Sequence, residues 1–241
     1  MKQENELDRN KKIPLLLLPG TLCNEKLWEH QIAYLEDIAS ITVGDLTQNN
    51  TIEGMASSVL DKAPEKFALA GLSLGGMVAI EMMRQAPERV TQLALLDTNP
   101  RPPTDAQIET WHKFIRISKE GDFISITKDY LMPGLLRQAN QGTPLVQTVI
   151  NMAEEVGANA MERQMTALMH RPDAFEVLPT IQCSVSVMVG DEDNVCPIEM
   201  SNELIREIPN SYLTIIKDAG HLSSLENPLE VSRTMRQWLI S

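Results

Sequence analysis

The amino-acid sequence predicts an α/β fold, in which a parallel sheet of about six strands is flanked by helices and interrupted by one helical insertion. Two observations lead to this prediction. Short apolar segments rich in β-branched residues alternate with longer segments of helical period, which is the pattern of βαβ units. The apolar segments are also nearly continuous, as expected for strands that helices cover on both faces.

The predicted strands fall into two blocks, so that the core of the fold comprises residues 13–99 and 179–241. The strands themselves are residues 13–20, 41–46, 67–73, 92–98, 185–191 and 212–218. Residues 1–12 are mostly charged or polar and have no hydrophobic periodicity, and we expect them to form a flexible N-terminal tail.

A helical insertion is predicted between the two blocks, over residues 100–178. Thr104 ends a cluster of helix-breaking residues and is well placed as an N-cap. Apolar residues then recur at spacings of three and four, and the same pattern returns at 145–156 and 161–169. The sequence therefore predicts helices here rather than another strand of the sheet.

Charge and hydropathy exclude two kinds of partner. The 241 residues include 21 Lys and Arg against 33 Asp and Glu, a net charge of −12, and no basic cluster that would neutralise a nucleic-acid backbone. No apolar segment approaches the ~20 residues that a bilayer span requires. We therefore expect neither a nucleic-acid nor a membrane partner.

The cysteines and the leucine run near the N-terminus bear on the compartment. Cys23, Cys183 and Cys196 are too widely spaced for a disulfide framework or a zinc site. The run at 15–18 is shorter than the ~7–15 apolar residues of a secretory signal. We expect a cytoplasmic protein with reduced thiols, no metal and no cofactor.

The first motif with chemical meaning is the segment GLSLG at residues 71–75, between a predicted strand and a predicted helix. A serine that stands exposed at the end of a strand needs a sharp turn. Glycines two residues to either side, Gly71 and Gly75, allow the neighbouring backbone to pass without a clash. This position makes Ser73 a candidate nucleophile.

Two further loops supply an acid and a base after later strands. A serine hydroxyl is a weak nucleophile until a base accepts its proton, and an imidazole base needs a carboxylate to fix its tautomer. His221 follows the last predicted strand, and Asp193 or Asp191 follows the strand before it. Because the carboxyl ends of parallel strands lie at one edge of a sheet, we expect Ser73 and His221 to meet there with one of these carboxylates.

With these motifs the sequence resembles the α/β-hydrolase family over residues 13–239. The segments GLSLG, GDEDNVCP and GHLSSLENP are similar to the family's G-x-S-x-G, G-x-x-D-x-x-x-P and G-H followed by E-x-P. The resemblance implies that Asp193 is the acid of a Ser-Asp-His triad. It also implies an oxyanion hole formed by the backbone N–H groups of Thr21 and Leu74, with Leu22 as an alternative to Thr21.

One departure from the family pattern lies at the end of the first strand. The His-Gly that is common there in the family is Pro19-Gly20 in this chain. The glycine is kept and the imidazole is lost. Since the oxyanion donors are backbone groups, the departure is compatible with an intact oxyanion hole.

The resemblance further implies that the insertion at 100–178 is a lid over the substrate site. Four side chains are then candidate pocket walls for a non-polar acyl or alkyl group, namely Trp111, Phe114, Met132 and Met165. Met161 and Leu168 share the apolar stripe of Met165, and we assign them to the core, the commoner place for such a stripe.

The function predicted from these features is a serine hydrolase that cleaves a small-molecule ester, thioester or lactone through an acyl-enzyme intermediate. Two alternatives stay open. The same fold and triad serve acyl transfer, perhydrolysis, C–C cleavage or lyase chemistry, and the fold also serves ligand-binding receptors with vestigial activity. The sequence contains no signal that sets the oligomeric state.

Overall fold

A computed structural model describes residues 12–241, and the predicted N-terminal tail lies outside the described residues except for Lys12. Six parallel strands form one sheet in the order β2-β1-β3-β4-β5-β6, which confirms the predicted fold class. The strands are β1 (Ile13–Leu18), β2 (Ala39–Val43), β3 (Phe67–Leu72), β4 (Val90–Leu96), β5 (Ser184–Gly190) and β6 (Ser211–Ile216).

The described residues also form eight α-helices of seven or more residues. These are α1 (Glu29–Leu35), α2 (Ile52–Leu60), α3 (Leu74–Gln85), α4 (Asp105–Lys119), α5 (Leu145–Val156), α6 (Ala158–Met169), α7 (Ile198–Glu207) and α8 (Pro228–Ile240). Shorter helical segments are Glu25–Trp28, Pro87–Arg89, Phe123–Ser125, Ile126–Leu131, Met132–Leu135, Gln138–Asn140, Leu178–Thr180 and Ser223–Glu226. None of the helices within residues 12–241 combines the length and the apolar character that crossing a membrane requires.

The sheet is the middle layer of the molecule, and strand β1 shows why its sequence is apolar throughout. Leu16 and Leu18 point to the face that is covered by α2, α3 and α7. Leu15 and Leu17 point to the opposite face, which is covered by α1 and α8. All four are 2% exposed or less. Because successive side chains of a strand alternate between faces, burial on both sides removes the polar alternation.

The segment between β4 and β5 is helical, and its first helix is capped at Thr104. The Thr104 side chain accepts a hydrogen bond from the Gln107 N–H (3.3 Å), and the Gln107 side chain accepts one from the Thr104 N–H (3.0 Å). This reciprocal pair satisfies backbone donors that helix α4 leaves unbonded at its start. Helix α4 then packs against α6.

The strand register brings the carboxyl ends of four neighbouring strands to one level. Leu72 in β3 is paired with Leu96 in β4, and Leu96 is paired with Met188 in β5. Gly190, two residues further along β5, is paired with Ile216 in β6. The loops that follow these strands therefore start side by side, and they carry the predicted serine, acid and histidine.

Candidate active site

Ser73 occupies a sharp turn between β3 and α3. Its backbone has φ 55° and ψ −116°, a conformation that costs a non-glycine residue about 1–2 kcal/mol. Two neighbours hold the turn: the Ser73 N–H donates to the Leu96 carbonyl (2.9 Å), and the Thr98 hydroxyl donates to the Ser73 carbonyl (2.8 Å). The serine side chain is thereby kept at the surface of the sheet edge.

Glycine is required at both flanking positions of this turn. A Cβ atom on Gly71 would lie 2.2 Å from the Gly75 carbonyl oxygen. A Cβ atom on Gly75 would lie 2.2 Å from the Leu18 carbonyl oxygen. Both contacts are far inside van der Waals distance, so these two glycines allow helix α3 to start directly against the sheet.

The structure brings together the three side chains that the sequence places in separate loops. His221 Nε2 lies 3.0 Å from Ser73 Oγ, and His221 Nδ1 lies 2.9 Å from Asp193 Oδ2. The other carboxylate oxygen of Asp193 accepts hydrogen bonds from the N–H groups of Val195 (2.8 Å) and Cys196 (2.9 Å). The imidazole is therefore held between a hydroxyl and a fixed carboxylate.

Asp191, the other candidate acid, does not reach His221. Its carboxylate accepts a hydrogen bond from the Ala219 N–H (3.3 Å) and lies 3.6 Å from the Lys217 ammonium. These contacts join the loops after β5 and β6 at the protein surface, where Asp191 is exposed. The geometry thus places Asp193, and not Asp191, beside the imidazole.

The buried His221–Asp193 pair shifts the pKa values of both groups. Burial alone would raise the pKa of Asp193, but the adjacent His221 ring and its hydrogen bond bring that pKa below its ordinary value. Burial alone would lower the pKa of His221, but the Asp193 carboxylate raises it above its ordinary value of 6.5. The ionised carboxylate thus stabilises the protonated form of the ring.

The backbone N–H groups of Thr21 and Leu74 have no hydrogen-bond acceptor among residues 12–241. Thr21 lines the same cavity as Ser73, and Leu74 is the first residue of helix α3. The Leu22 N–H, the alternative donor, instead donates to the Gln164 side chain (3.0 Å). Thr21 and Leu74 are therefore free to donate to a bound oxygen atom.

A cavity of about 200 Å³ lies above Ser73 and His221. Of the four predicted wall residues, Trp111 and Met165 line it. Leu168, which we assigned to the core, lines it as well.

The other two predicted wall residues require correction, because neither Phe114 nor Met132 lines the cavity. Phe114 is 4% exposed and packs against the Tyr130 ring, with 5.6 Å between ring centroids. Met132 is 6% exposed and belongs to the apolar cluster that contains Val149. Both side chains belong to the hydrophobic core instead.

A sequence model of the alpha/beta hydrolase family matches residues 16–234. This chain belongs to the alpha/beta hydrolase family. A pimeloyl-(acyl-carrier protein) methyl ester esterase from Aliivibrio salmonicida is 24% identical to it over 242 residues, which cover 93% of this chain and 91% of that protein.

Solved structures of other hydrolases have the same fold. A thermophilic esterase from Thermogutta terrifontis, solved with malate bound, superposes with a TM-score of 0.86 at 26% identity and covers 95% of this chain and 90% of its own. An enol-lactonase from Burkholderia xenovorans superposes with a TM-score of 0.87 at 16% identity and covers 97% and 93% of the two chains. This alpha/beta hydrolase is an enzyme of the carboxylic-ester hydrolase type.

A second carboxylate of this hydrolase lies behind the His221–Asp193 pair, and the sequence analysis missed it. Asp97 is fully buried at the end of β4, where it accepts hydrogen bonds from the Gly190 N–H (2.8 Å) and the Ser223 hydroxyl. Burial and the nearby Asp193 charge raise the pKa of Asp97 to about 8. The sequence did contain one signal for Asp97: it is an acidic residue directly after β4, the buried strand that pairs with β3, which leads to Ser73.

Two amide or carboxylate side chains tie the insertion of the hydrolase to the site. The buried Gln164 of α6 accepts the Leu22 N–H and donates to the Leu46 carbonyl (3.3 Å). Glu226 accepts the N–H groups of Gly220 (2.8 Å) and Arg137 (2.9 Å). Gln164 could have been found as the polar residue within an otherwise apolar helical stripe.

Two cysteines, Cys23 and Cys196, line the cavity of the hydrolase. Burial raises the pKa of Cys23 to about 12 and raises that of Cys196 as well. Neither thiol is therefore ionised near neutral pH. Across residues 12–241, no group of three or more His, Cys, Asp or Glu side chains is arranged to hold a metal ion.

Proposed function

We propose that this α/β hydrolase is a serine esterase that cleaves a small-molecule ester, thioester or lactone through an acyl-enzyme intermediate. One observation carries the proposal. Below a cavity, Ser73 Oγ lies 3.0 Å from His221 Nε2, and His221 Nδ1 lies 2.9 Å from Asp193 Oδ2. Ser73 itself stands at a strained turn. The esterase relative and the esterase structure support the same reaction class.

In the acylation half of the reaction, Ser73 Oγ attacks the substrate carbonyl carbon while His221 Nε2 accepts the hydroxyl proton. The carbonyl oxygen becomes negative in the tetrahedral intermediate, and the N–H groups of Thr21 and Leu74 stabilise it. The intermediate then collapses, the bond to the alcohol or thiol breaks, and His221 returns the proton to that leaving group. The acyl group is left on Ser73.

In the deacylation half, His221 accepts a proton from a water molecule, whose oxygen attacks the acyl carbon. The second tetrahedral intermediate releases the carboxylic acid, and the proton on His221 returns to Ser73 Oγ. Throughout both halves, Asp193 keeps the Nδ1–H tautomer of His221 in place and stabilises the imidazolium. Asp193 itself stays ionised because its pKa is low.

The insertion at 100–178 is proposed to act as the lid of the substrate site. It contributes the apolar side chains of Trp111, Met165 and Leu168 to the cavity wall, while the sheet edge contributes Ser73 and His221. Such a division separates the chemistry from substrate selection. The lid side chains then determine which acyl or alkyl group fits beside the reacting carbonyl.

The proposal is tested with p-nitrophenyl acetate and a fluorophosphonate probe. We expect Ser73→Ala to abolish covalent labelling and to lower kcat by on the order of 10⁴–10⁶. Ser57→Ala, which removes an exposed serine hydroxyl on α2, is the control and should retain both labelling and turnover. Labelling that persists unchanged in Ser73→Ala would show that another residue is the nucleophile.

A further inference from the structure

Arg171 is a buried cation in the wall of the active-site cavity. It follows helix α6 and is only 6% exposed, yet it lines the same cavity as Ser73 and His221. Arginine is seldom buried unless a carboxylate or another anion accompanies it, because the charge loses its hydration. The groups that surround the Arg171 guanidinium therefore show whether the protein itself supplies an anion for this charge.

The guanidinium of Arg171 donates to three neutral oxygens of the protein. Nε donates to the Arg101 carbonyl (2.8 Å), Nη1 to the Leu168 carbonyl (3.2 Å) and Nη2 to the Gln107 side chain (3.3 Å). The group also lies 5.4 Å from the centre of the Trp111 ring. A guanidinium carries five N–H bonds, so one N–H on each Nη atom is left without an acceptor among residues 12–241.

The acceptors of the two Nη atoms belong to residues that line the cavity above Ser73, whereas the acceptor of Nε belongs to Arg101, which lines a second, smaller cavity together with Arg171. The residues that accept from the Nη atoms are Leu168 and Gln107, and Arg101 does not line the cavity above Ser73. Each Nη atom thus keeps one N–H donor, and charged guanidinium N–H groups bind carboxylate oxygens strongly.

No protein carboxylate neutralises this cation within residues 12–241. Arg101, Arg137 and Arg236 each form an ion pair with Asp or Glu, while no carboxylate oxygen of the described residues lies within 4.0 Å of the Arg171 guanidinium. Burial lowers the pKa of Arg171 to about 10, so that the side chain is still charged at neutral pH. The positive charge at the cavity wall is therefore available to a substrate.

We propose that Arg171 binds a carboxylate of the substrate, and that the esters cleaved at Ser73 are monoesters of dicarboxylic acids or other esters that bear a carboxylate. The inference rests on the proposed esterase function and adds the chemical class of its substrate. Apolar walls formed by Trp111, Met165 and Leu168 suit the methylene chain that joins the ester to the carboxylate. Arg171 is then a specificity-determining residue rather than part of the hydrolytic machinery.

The test compares charged esters with neutral esters of the same shape. The substrates are the monomethyl esters of succinate, glutarate, adipate, pimelate and suberate, each paired with the monoamide in which a carboxamide replaces the free carboxylate. At the preferred chain length we expect kcat/KM of the wild-type enzyme to be about 10- to 100-fold higher for the carboxylate than for the amide.

Arg171→Met should remove this preference. We expect kcat/KM for the carboxylate ester to fall by about 10- to 100-fold and kcat/KM for the amide to change by less than about 3-fold. Arg116→Met, which removes an exposed positive charge from helix α4, is the matched control and should retain the preference. A charge preference that is absent in the wild type, or that persists in Arg171→Met, would overturn the inference.

A measurement on the unmodified enzyme covers the case in which Arg171→Met fails to fold. Free monocarboxylates and their amides are compared as inhibitors of p-nitrophenyl acetate hydrolysis, and we expect the carboxylates to inhibit at about 10-fold lower concentration. Equal inhibition would overturn the inference while p-nitrophenyl acetate is still cleaved. Failure of the proposed function is distinct, because p-nitrophenyl acetate would then not be cleaved at all.

Discussion

The Asp97 carboxylate accepts a hydrogen bond from the Gly190 N–H (2.8 Å), and this bond joins the end of β4 to the loop that carries Asp193. The other oxygen of Asp97 accepts the Ser223 hydroxyl, two residues beyond His221. A single buried side chain therefore links the acid loop and the histidine loop from behind. Asp97 itself contacts neither Ser73 nor the cavity.

Asp97 should make the folded protein less stable as the pH rises. Its pKa is raised by burial to about 8, while in the unfolded chain it is near 3.8, so between these values the folded state binds one more proton than the unfolded state. The free energy of unfolding then decreases with pH by up to about 1.4 kcal/mol per unit. Urea unfolding of Asp97→Asn at several pH values should show a shallower decrease.

The exposed carboxylate Asp61 supplies the control for this measurement. Asp61→Asn removes an acid at the C-terminal end of α2 without touching the site, and its stability should follow the wild-type pH dependence. If Asp97→Asn also follows the wild-type curve from pH 4 to pH 8 (the span set by the two pKa values), then Asp97 is ionised at neutral pH.

Replacing the two neighbouring acids should separate their roles. Asp193→Asn is expected to lower kcat by about 10⁴, because the amide stabilises the wrong imidazole tautomer. Asp191→Asn should lower kcat far less, because Asp191 contacts Ala219 and Lys217 instead of His221. Steady-state kinetics on p-nitrophenyl acetate measure both, and the opposite ranking would move the acid to Asp191.

The rate should rise with pH through the ionisation of His221. Only the neutral ring accepts the Ser73 proton, and Asp193 raises the pKa of His221 above 6.5 despite its burial. We therefore expect kcat/KM to reach half of its maximum above pH 6.5. A midpoint below that value would indicate that burial, which disfavours the charged ring, outweighs the carboxylate.

Two buried residues of the insertion, one in the cavity wall and one in the core, should respond differently to truncation. Met165→Ala enlarges the cavity and should shift the preferred acyl chain length, since each methylene in an apolar pocket contributes about 1–3 kcal/mol of discrimination. Phe114→Ala should cost about 3–5 kcal/mol of stability and leave the preference unchanged, because Phe114 does not line the cavity. Melting temperatures and kcat/KM across a series of p-nitrophenyl esters measure both effects.

Local patterns predicted much of this site because they depend on residues close in sequence. The turn at Ser73 needs flanking glycines, the loop that carries Asp193 follows the buried strand β5, and the loop that carries His221 follows the edge strand β6. The topology of a parallel sheet then brings their ends together. Their side-chain distances follow from this arrangement and needed the structure to be measured.

Other features escaped prediction because they depend on tertiary packing. Helical periodicity identifies the apolar face of a helix but does not say whether that face meets a cavity or the core. Phe114 was therefore predicted to line the cavity but lies in the core, and Leu168 was assigned to the core but lines the cavity. Arg171 carries no sequence signal at all, since its burial results from contacts with residues about 64–70 positions earlier in the chain.

The hydrogen bond from the Leu22 N–H to Gln164 has a consequence for engineering this enzyme. Helix α6 is not an interchangeable module, because the same helix shapes the substrate cavity through Met165 and fixes the loop that contains Thr21. In a chimaera that carries the insertion of another hydrolase, the same exchange would alter both the cavity wall and the hydrogen bond from the Leu22 N–H to Gln164. We expect a graft that keeps an amide side chain at the position of Gln164 to preserve the hydrogen bond to the Leu22 N–H.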